Sequence, residues 1–469
     1  MSLHHAKHSP AQMLPALLLL LGATLLPLTS CQTVREARKV QKQETPAPAG
    51  ERTLTAQEAG LKEGDTLTLE QLEQLALRCQ PALYQSRLAV EQARLSLSNA
   101  KAGYLPTASA SAGHSRSTHN TDRHHGTTHN TGSYSGGVNL SMTVFDFGRT
   151  SAEVRQAQDS LSAALEDYEE QRSATIYQVR QNYFQLRRAI ELHAVAKESV
   201  IQYKDHLDQM QTKREVGAST EYDVLKAEVD YQQARLQEIT TANDVALGWV
   251  DLNRCLGLME VPEYNLGDCQ IEEYPESAHD LMEKARKSSP TLQALDYRVK
   301  VASGALDAAI SDLYPSLSLS LGGTVSGQNP ALPWLWNLNG GLSLGQSLFQ
   351  GGRLNNAIRQ ATLSLQSARS KYADGEQTLF RSLTNATLTA SRAKLSLEVA
   401  ELTAKTAQRN LEIVNEKFRN GKATSVDRTD AQVSLSTAKA DAVNARFDYL
   451  EAQATIANLL GEPAEALAE

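Results

Sequence analysis

The chain has 469 residues, of which 41% are apolar, 21% are charged and 5% are aromatic, and its formal charge is −8. This acidic balance argues against nucleic acid as the main partner. At ~150 residues per domain the length would suggest three globular domains, but the low aromatic content disfavours three compact cores. The composition favours slender helical packing.

The first 30 residues are typical of a bacterial signal peptide. Their apolar stretch, residues 14–28, is too short and too interrupted for a spanning helix. The segment ends at Cys31 in a pattern that resembles the lipobox of bacterial lipoproteins, which implies cleavage before Cys31 and acylation of its thiol. The alternative is an ordinary cleavage site beside a chance cysteine. Gln32 in place of Asp resembles outer-membrane sorting, and the polar residues 31–66 predict a lipid anchor and a tether.

The rest of the chain contains an internal repeat. Pro106 recurs as Pro315 at an offset of 209 residues, and Gly217 recurs as Gly421 at an offset of 204 residues. An offset that changes only once, by five residues within a variable loop, indicates duplication of a unit of about 200 residues. The predicted segments are a first repeat at 67–260, a linker at 261–276, a second repeat at 277–462 and a C-terminal tail at 463–469.

Each repeat predicts the same order of elements. Two helices come first and stop before a proline, because the residue before proline avoids the helical region. Two strands with period-2 alternation follow and predict a β-hairpin. A long helix with apolar residues at steps of three and four comes next, and a glycine turn at Gly217 or Gly421 reverses the chain into a further helix. The predicted β-hairpins cover about 105–147 and 315–349, and the predicted coiled-coil helical hairpins cover 149–257 and 353–461.

The number of strands determines the predicted assembly. Four strands cannot close a barrel, and an open sheet edge in lipid leaves backbone groups unpaired at several kcal/mol each. The smallest membrane barrels of this kind have about eight strands. A trimer would supply twelve strands and a ring of helices too wide to fill its own centre, so we expect a water-filled channel.

Taken together, the chain resembles the TolC-type outer-membrane efflux protein family, and its lipoprotein branch in particular. The resemblance covers about residues 66–462 and includes the Phe-x-x-Gly-Arg motif from Phe145 to Arg149 and from Phe349 to Arg353. It implies a mainly α fold in which a trimer forms a 12-strand β-barrel in the outer membrane and an α-helical tunnel in the periplasm. It also implies docking to a periplasmic adaptor protein and to an inner-membrane pump of the RND or ABC class.

The first candidate site is the second glycine turn, at the predicted periplasmic tip. Asp427 and Asp430 are three residues apart on one helix face, and three copies would form a ring of six carboxylates. Aspartates at these positions in similar proteins line the tunnel entrance and favour cations. The alternative is that these acids stabilise the start of a helix. Asp223 in the first repeat matches Asp427, whereas Lys226 stands where Asp430 does.

Some relatives latch the closed tip with a Tyr three residues before the second turn's glycine and an Arg two residues after it. Phe418 and Ala423 occupy those positions, so the hydroxyl and the guanidinium of that latch are missing. We therefore expect other contacts, involving Arg214 or Arg419, to hold the closed state.

Four further features complete the candidate residues. Cys255 and Cys269 are the preferred disulfide pair, since they close a short loop. The predicted loop between the first two strands is rich in histidine, which could bind a metal ion or simply face solvent; its histidines are His114, His119, His124, His125 and His129. The predicted junctions between strands and helices are marked by Pro106, Gly148, Arg149, Pro315, Gly352 and Arg353. Aromatic residues at the strand ends predict an interfacial belt, with ordinary packing as the alternative: Tyr104, Phe145, Phe147, Tyr314, Trp334, Trp336 and Phe349.

The sequence contains no nucleophile with a base, no phosphate loop and no metal-ligand spacing, so we expect a non-enzyme without a cofactor. The leading prediction is a passive exit duct for small molecules, driven by a partner pump. One alternative keeps the duct but exports protein through a type I secretion system. A third hypothesis, a non-transporting coiled-coil spacer or adhesin, is disfavoured because a spacer needs no membrane strands.

Overall fold

The structure is a computed structural model that describes residues 27–41, 50–52, 54–61, 64–120, 128–260, 262, 264–267, 277–328 and 335–461. The helices in this part of the chain are α1 (Pro27–Gln41), α2 (Leu69–Cys79), α3 (Pro81–Lys101), α4 (Arg149–Glu215), α5 (Glu221–Cys255), α6 (Ala278–Ser288), α7 (Pro290–Ser311), α8 (Arg353–Arg419) and α9 (Ser425–Leu460). The strands are β1 (Thr66–Leu67), β2 (Thr107–Asn120), β3 (Thr128–Phe145), β4 (Asn265–Leu266), β5 (Ser316–Gly327) and β6 (Leu335–Gly345). Among these residues no helix is both long and apolar enough to cross a membrane.

The two long helices, α4 and α8, are each 67 residues long, about 100 Å at 1.5 Å per residue. Each begins after a glycine in the left-handed region, Gly148 (φ 92°) and Gly352 (φ 84°), where other residues would be strained. Each ends at a second left-handed glycine, Gly217 or Gly421. The chain then returns as α5 or α9, so two antiparallel helical hairpins form.

The helix α4 is the centre of the protomer. It packs against α2, α3, α5, α7 and α9, whereas α8 packs against α6, α7 and α9. The largest apolar cluster lies midway along α4 and includes the fully buried Tyr183, Phe184 and Leu186. At the same level Arg180 forms a buried ion pair with Glu73 of α2, with 2.6 Å between Nε and Oε1. Burial raises the pKa of Glu73, against the opposing effect of the Arg180 guanidinium.

Segments on both sides of the first repeat are folded onto this cluster. The strand β1 pairs with β4 in parallel, although β4 lies in the predicted linker 261–276. Within the predicted tether, Leu54 is buried and bridges to Leu258. The tether is therefore partly folded onto the helical body, which its polar composition did not indicate.

The predicted fold class is confirmed, and the observed element bounds lie close to the predicted ones. The largest difference is in the second β-hairpin, where β6 ends at Gly345 and not at Phe349. Residues 346–350 leave the ladder, and the Gln346 side chain donates instead to the carbonyl of Leu313 at 3.1 Å. Residues 1–26, most of the linker and the C-terminal tail lie outside the described residues.

Candidate channel and its periplasmic tip

Strands β2, β3, β5 and β6 form one antiparallel sheet in the order β2-β3-β5-β6. One face carries apolar residues: Leu319 of β5 lies opposite Leu342 of β6, and Val325 lies opposite Trp336. The other face carries small polar residues, such as Ser318 opposite Ser343. This alternation is that of a membrane strand with one face toward lipid and the other toward a polar lumen.

The sheet is tightly fitted but open at both edges. A Cβ on Gly340 would lie 2.9 Å from Leu321 Cδ2, so the leucine occupies the space that the glycine leaves. The edge strands β2 and β6 each form backbone hydrogen bonds with a neighbouring strand on one side only, β2 with β3 and β6 with β5. Four strands with two free edges cannot stand alone in hydrocarbon, because each unpaired backbone group costs several kcal/mol.

The junction after β3 is fixed by polar contacts. Asp146 accepts hydrogen bonds from the backbone N–H of Thr150 at 2.8 Å and of Gly148 at 3.2 Å. Arg149 pairs with Asp312, at 2.8 Å between Nη1 and Oδ1, which ties the first repeat to the end of α7. In the second repeat Arg353 bonds within its own turn, at 2.8 Å between Nε and Gln350 Oε1. Pro106 and Pro315 directly precede β2 and β5.

Several of the predicted belt aromatics meet at this end of the sheet. Phe147 stacks on Tyr314 with 5.4 Å between ring centroids, and Phe145 contacts Phe147 edge-on at 4.7 Å. Trp336 is exposed near the other end of β6. The remaining members are Tyr104 and Phe349, both exposed, and Trp334, which lies outside the described residues.

At the opposite end of the helices, Asp223 and Asp427 occupy equivalent positions in the two turns. The Asp427 carboxylate accepts from the backbone N–H of Thr424 at 2.8 Å, while Thr424 Oγ1 accepts from the backbone N–H of Asp427 at 3.2 Å. Thr220 and Asp223 form the same capping box. The hydrogen bonds from Thr424 hold the pKa of Asp427 below its usual value, and those from Thr220 do the same for the pKa of Asp223.

Asp427 and Asp430 are both exposed. The capping interpretation is thus realised for Asp427, and an exposed pair of carboxylates on the first turns of α9 remains compatible with an entrance ring. Of the two arginines predicted to hold the tip, Arg214 pairs with Glu221 of its own hairpin at 3.5 Å. Arg419 makes no ion pair with any described residue.

The contact between the two hairpin tips centres on Phe418, which stands at the latch position but lacks the hydroxyl. Phe418, at the end of α8, is buried in the tip cluster of the first hairpin, against Leu207, Met210 and Val224. The ring is flanked by two cations: Lys213 Nζ lies 3.8 Å from its centroid and Arg428 Cζ lies 5.7 Å away.

Arg428, on the first turn of α9, joins three helices. Its Nη1 lies 2.6 Å from Nδ1 of His206 and 3.0 Å from Oε1 of Gln209, both on α4, and its Nε donates to Asn415 of α8 at 2.9 Å. His206 Nε2 lies 3.0 Å from Ser425 Oγ. We call His206, Phe418, Ser425 and Arg428 the tip clasp. No local pattern could have found it, because His206 and Arg428 are 222 residues apart.

Two exposed apolar stripes run along the helices. On α8 exposed apolar residues recur at heptad spacing: Leu388, Leu395, Val399, Leu402 and Ile413. On α5 a second stripe has the same spacing: Tyr222, Leu225, Val229, Leu236, Ile239 and Val250. Steps of three and four are the pattern of a coiled-coil seam. Within the described protomer neither stripe is covered.

The model of the family described as "Outer membrane efflux protein" matches residues 72–258 and 281–462, the two repeats almost in full. The chain belongs to the outer membrane efflux protein family. Two similar proteins are outer membrane protein TolC of Escherichia coli, 22% identical over 70% of this chain and 69% of TolC, and the alkaline protease secretion protein AprF of Pseudomonas aeruginosa, 23% identical over 69% of each chain. The CmeC outer membrane channel of Campylobacter jejuni has a similar fold, with a TM-score of 0.74 and 20% identity over 85% of this chain and 88% of CmeC.

These findings confirm the predicted family, the outer-membrane location and the fold of strand hairpins continued by long helices. In this outer membrane efflux protein the open sheet is one protomer's share of a barrel. The helical hairpins are its share of a tunnel.

The remaining candidates are the predicted disulfide pair and the histidine-rich loop. Cys255 is a free, half-buried thiol whose Sγ accepts from the Asn182 amide at 3.1 Å. Its preferred partner, Cys269, lies outside the described residues. His114 stacks on Tyr134 with 4.3 Å between ring centroids, and His119 lies opposite His129 in the β2–β3 ladder. His124 and His125 lie outside the described residues, among which no group of side chains could hold a metal ion.

Proposed function

We propose that this outer membrane efflux protein is a homotrimeric, passive exit duct that carries small molecules, such as drugs, toxic compounds or metal ions, out of the cell. The observation that carries the proposal is the four-stranded sheet with a lipid-like face, a polar face and two free edges, continued by helices of about 100 Å. Energy would come from an inner-membrane pump of the RND or ABC class. A periplasmic adaptor would join that pump to the helical tips.

The sheet and the two stripes support a trimer. Three sheets joined edge to edge, β6 of one protomer to β2 of the next, give twelve strands and leave no free edge. The α5 and α8 stripes lie on different hairpins of one chain, so they suit a head-to-tail interface that repeats around a ring. Each seam would cover both stripes.

An anchor at Cys31 would hold each protomer to the outer membrane by lipid. Acyl chains contribute about 0.8 kcal/mol per buried CH₂, so more than one chain anchors firmly. Cells expressing the wild-type protein should incorporate labelled palmitate into it, and cells expressing Cys31→Ser should not. Equal labelling of both proteins would disprove acylation at this residue.

The exposed carboxylates at the tip would favour cations. We propose that Asp427 and Asp430 of three protomers form an entrance ring, with Asp223 nearby on the first hairpin. Asp427→Asn with Asp430→Asn removes the charge but leaves an oxygen for the cap, and it should lower the ratio of K⁺ to Cl⁻ permeability in planar bilayers. Identical reversal potentials for this variant and the wild type would disprove the ring.

The function is tested by drug and dye accumulation in a deletion strain. We expect raised accumulation that the wild-type gene reverses and that a variant carrying a charge in the α8 stripe, Leu402→Asp, does not. Unchanged accumulation, together with loss of a secreted protein, would contradict efflux of small molecules. It would favour a type I secretion duct, which the similarity to AprF makes the second candidate.

A further inference from the structure

His206 is a buried titratable residue, 4% exposed, at the contact between the two hairpins. Its protonation state follows from its partners. Arginine only donates hydrogen bonds, so Nδ1, which faces Arg428 Nη1 at 2.6 Å, must be unprotonated. The single ring proton is then on Nε2, which donates to Ser425 Oγ at 3.0 Å. The tip clasp therefore requires a neutral histidine.

The charges that act on His206 are positive. Arg428 of α9 and Lys213 of α4 are its electrostatic partners, and burial together with these two cations lowers the pKa of His206 to about 4. The other groups packed around the clasp are neutral: Phe418 and Asn415 of α8, and Gln209 of α4. Further out, Asp205 and Arg419 act on Arg428 with opposite signs.

A proton on Nδ1 would change the contact in two ways. The acceptor for Arg428 becomes a donor, so the hydrogen bond is lost. Two positive charges then face each other, one of them on the buried His206. Arg428 also bonds Gln209 and Asn415, so its displacement would weaken the link between α9 and both other helices.

We propose that the tip clasp is an acid-sensitive lock, in which protonation of His206 displaces Arg428 and separates the second helical hairpin from the first at the periplasmic tip. The lock rests on the proposed channel function, since separated tips would widen the tunnel entrance. It assigns to His206, Arg428 and Phe418 the role that the sequence analysis left to Arg214 or Arg419.

The direction of the effect follows from linkage. A histidine whose pKa is lower in the closed tip than in the open tip favours the closed tip at high pH, and this preference is lost as pH falls below about 6.5. If the pKa of His206 returns from about 4 to about 6.5 on separation, the ratio of open to closed tips rises about a hundredfold per clasp between pH 7 and pH 4.

The experiment measures the distance between the two turns in the full-length protein. Spin labels on Ala218→Cys and Lys422→Cys, with Cys79, Cys255 and Cys269 replaced by Ala, report separation by pulsed EPR. We expect a longer distance at pH 4 than at pH 7 for the wild-type background. His206→Gln should abolish this change. His193→Gln should retain it, because His193, on the same helix, bonds Thr241 of its own hairpin, with 3.0 Å between Nδ1 and Oγ1.

Arg428→Gln provides a second variant should His206→Gln not fold. It removes the Arg428 hydrogen bonds to His206, Gln209 and Asn415 that hold the tips together, so we expect a long distance at both pH values. A distance that does not change with pH in the wild type, or that changes equally in His206→Gln, would overturn the lock.

Conductance in planar bilayers separates the lock from the channel. We expect acid to raise the conductance of the wild type but not that of His206→Gln, although protonation of tip aspartates would by itself lower cation conductance. A distance change in a protein that never conducts would support the lock and contradict the channel. A conductance that rises in acid without a change in the distance would support the channel and contradict the lock.

Discussion

The helices α4 and α8 have equal lengths and descend from one duplicated unit, yet their surroundings differ. Phe184 of α4 is fully buried, while its equivalent, Leu388 of α8, is 65% exposed. The cause is position: α4 packs against helices of both repeats, whereas α8 packs mainly against α6, α7 and α9 of its own repeat. The same heptad pattern therefore fills the interior of the protomer in one repeat and leaves an exposed apolar stripe in the other, which the proposed trimer would cover.

The largest effect, loss of the trimer, is expected when a charged residue is introduced into the exposed apolar stripe of α8. Leu402→Asp would place a carboxylate in the apolar seam of each of three interfaces, and we expect loss of the trimer with retained helicity. Size-exclusion chromatography with light scattering in detergent measures the assembly, and circular dichroism measures the helices. Gln408→Asp adds the same charge to α8 away from the stripe and should leave the trimer intact. Equal behaviour of the two variants would contradict an interface at the stripe.

The next largest effect is a loss of stability, which should differ between the equivalent positions Phe184 and Leu388. Phe184→Ala should lower the free energy of unfolding by about 3–5 kcal/mol, because it leaves a cavity in the largest cluster. Leu388→Ala removes an exposed side chain and should change the stability of the separated protomer by less than about 1 kcal/mol. Denaturant unfolding followed by circular dichroism tests both. A similar loss for both variants would mean that α8 is covered within the protomer.

The contribution of the buried Glu73–Arg180 pair to stability can be tested by replacing both residues with their equivalents from the second repeat. Glu73 and Arg180 correspond to Met282 and Thr384 in the second repeat. Glu73→Met alone should cost about 3–5 kcal/mol, because Arg180 stays buried without its partner. Adding Arg180→Thr should recover most of this loss. If the double variant is as unstable as the single one, the loss of stability does not come from leaving Arg180 unpaired, and the ion pair itself stabilises the fold.

The smallest effect is expected at the two capping boxes. Thr220→Ala and Thr424→Ala should each speed hydrogen exchange only in the first turn of α5 or α9, since each removes one cap. The pKa of Asp223 and that of Asp427 are lowered in the folded state. Their contribution to the caps is therefore complete above pH 4 and is lost as pH falls further. Exchange that is unchanged in both variants would contradict the caps.

Local signals account for most of what the sequence could predict. The predicted long helix at 149–216 matches α4 (Arg149–Glu215) because heptad spacing and the glycine turn are local. The tip clasp, by contrast, depends on which helix faces which, and no periodicity specifies that. The strands β1 and β4 are only two residues long and show no pattern. The roles of Asp427 and Asp430 remain predictions, because an entrance ring needs three chains.

The short ribbon of β1 and β4 also sets an order of events during folding. It pairs Thr66 with Asn265, so the chain must close a loop of about 200 residues, whose entropy cost grows with the logarithm of its length. The β2–β3 hairpin and the turn at Gly217 need only local contacts and can form first. In a chain that emerges N-terminus first, β1 waits for its partner until the whole first repeat is out. We expect the segment around β1 to stay sensitive to protease until residue 267 has emerged. The first strand of the chain is therefore among the last elements of the first repeat to become ordered.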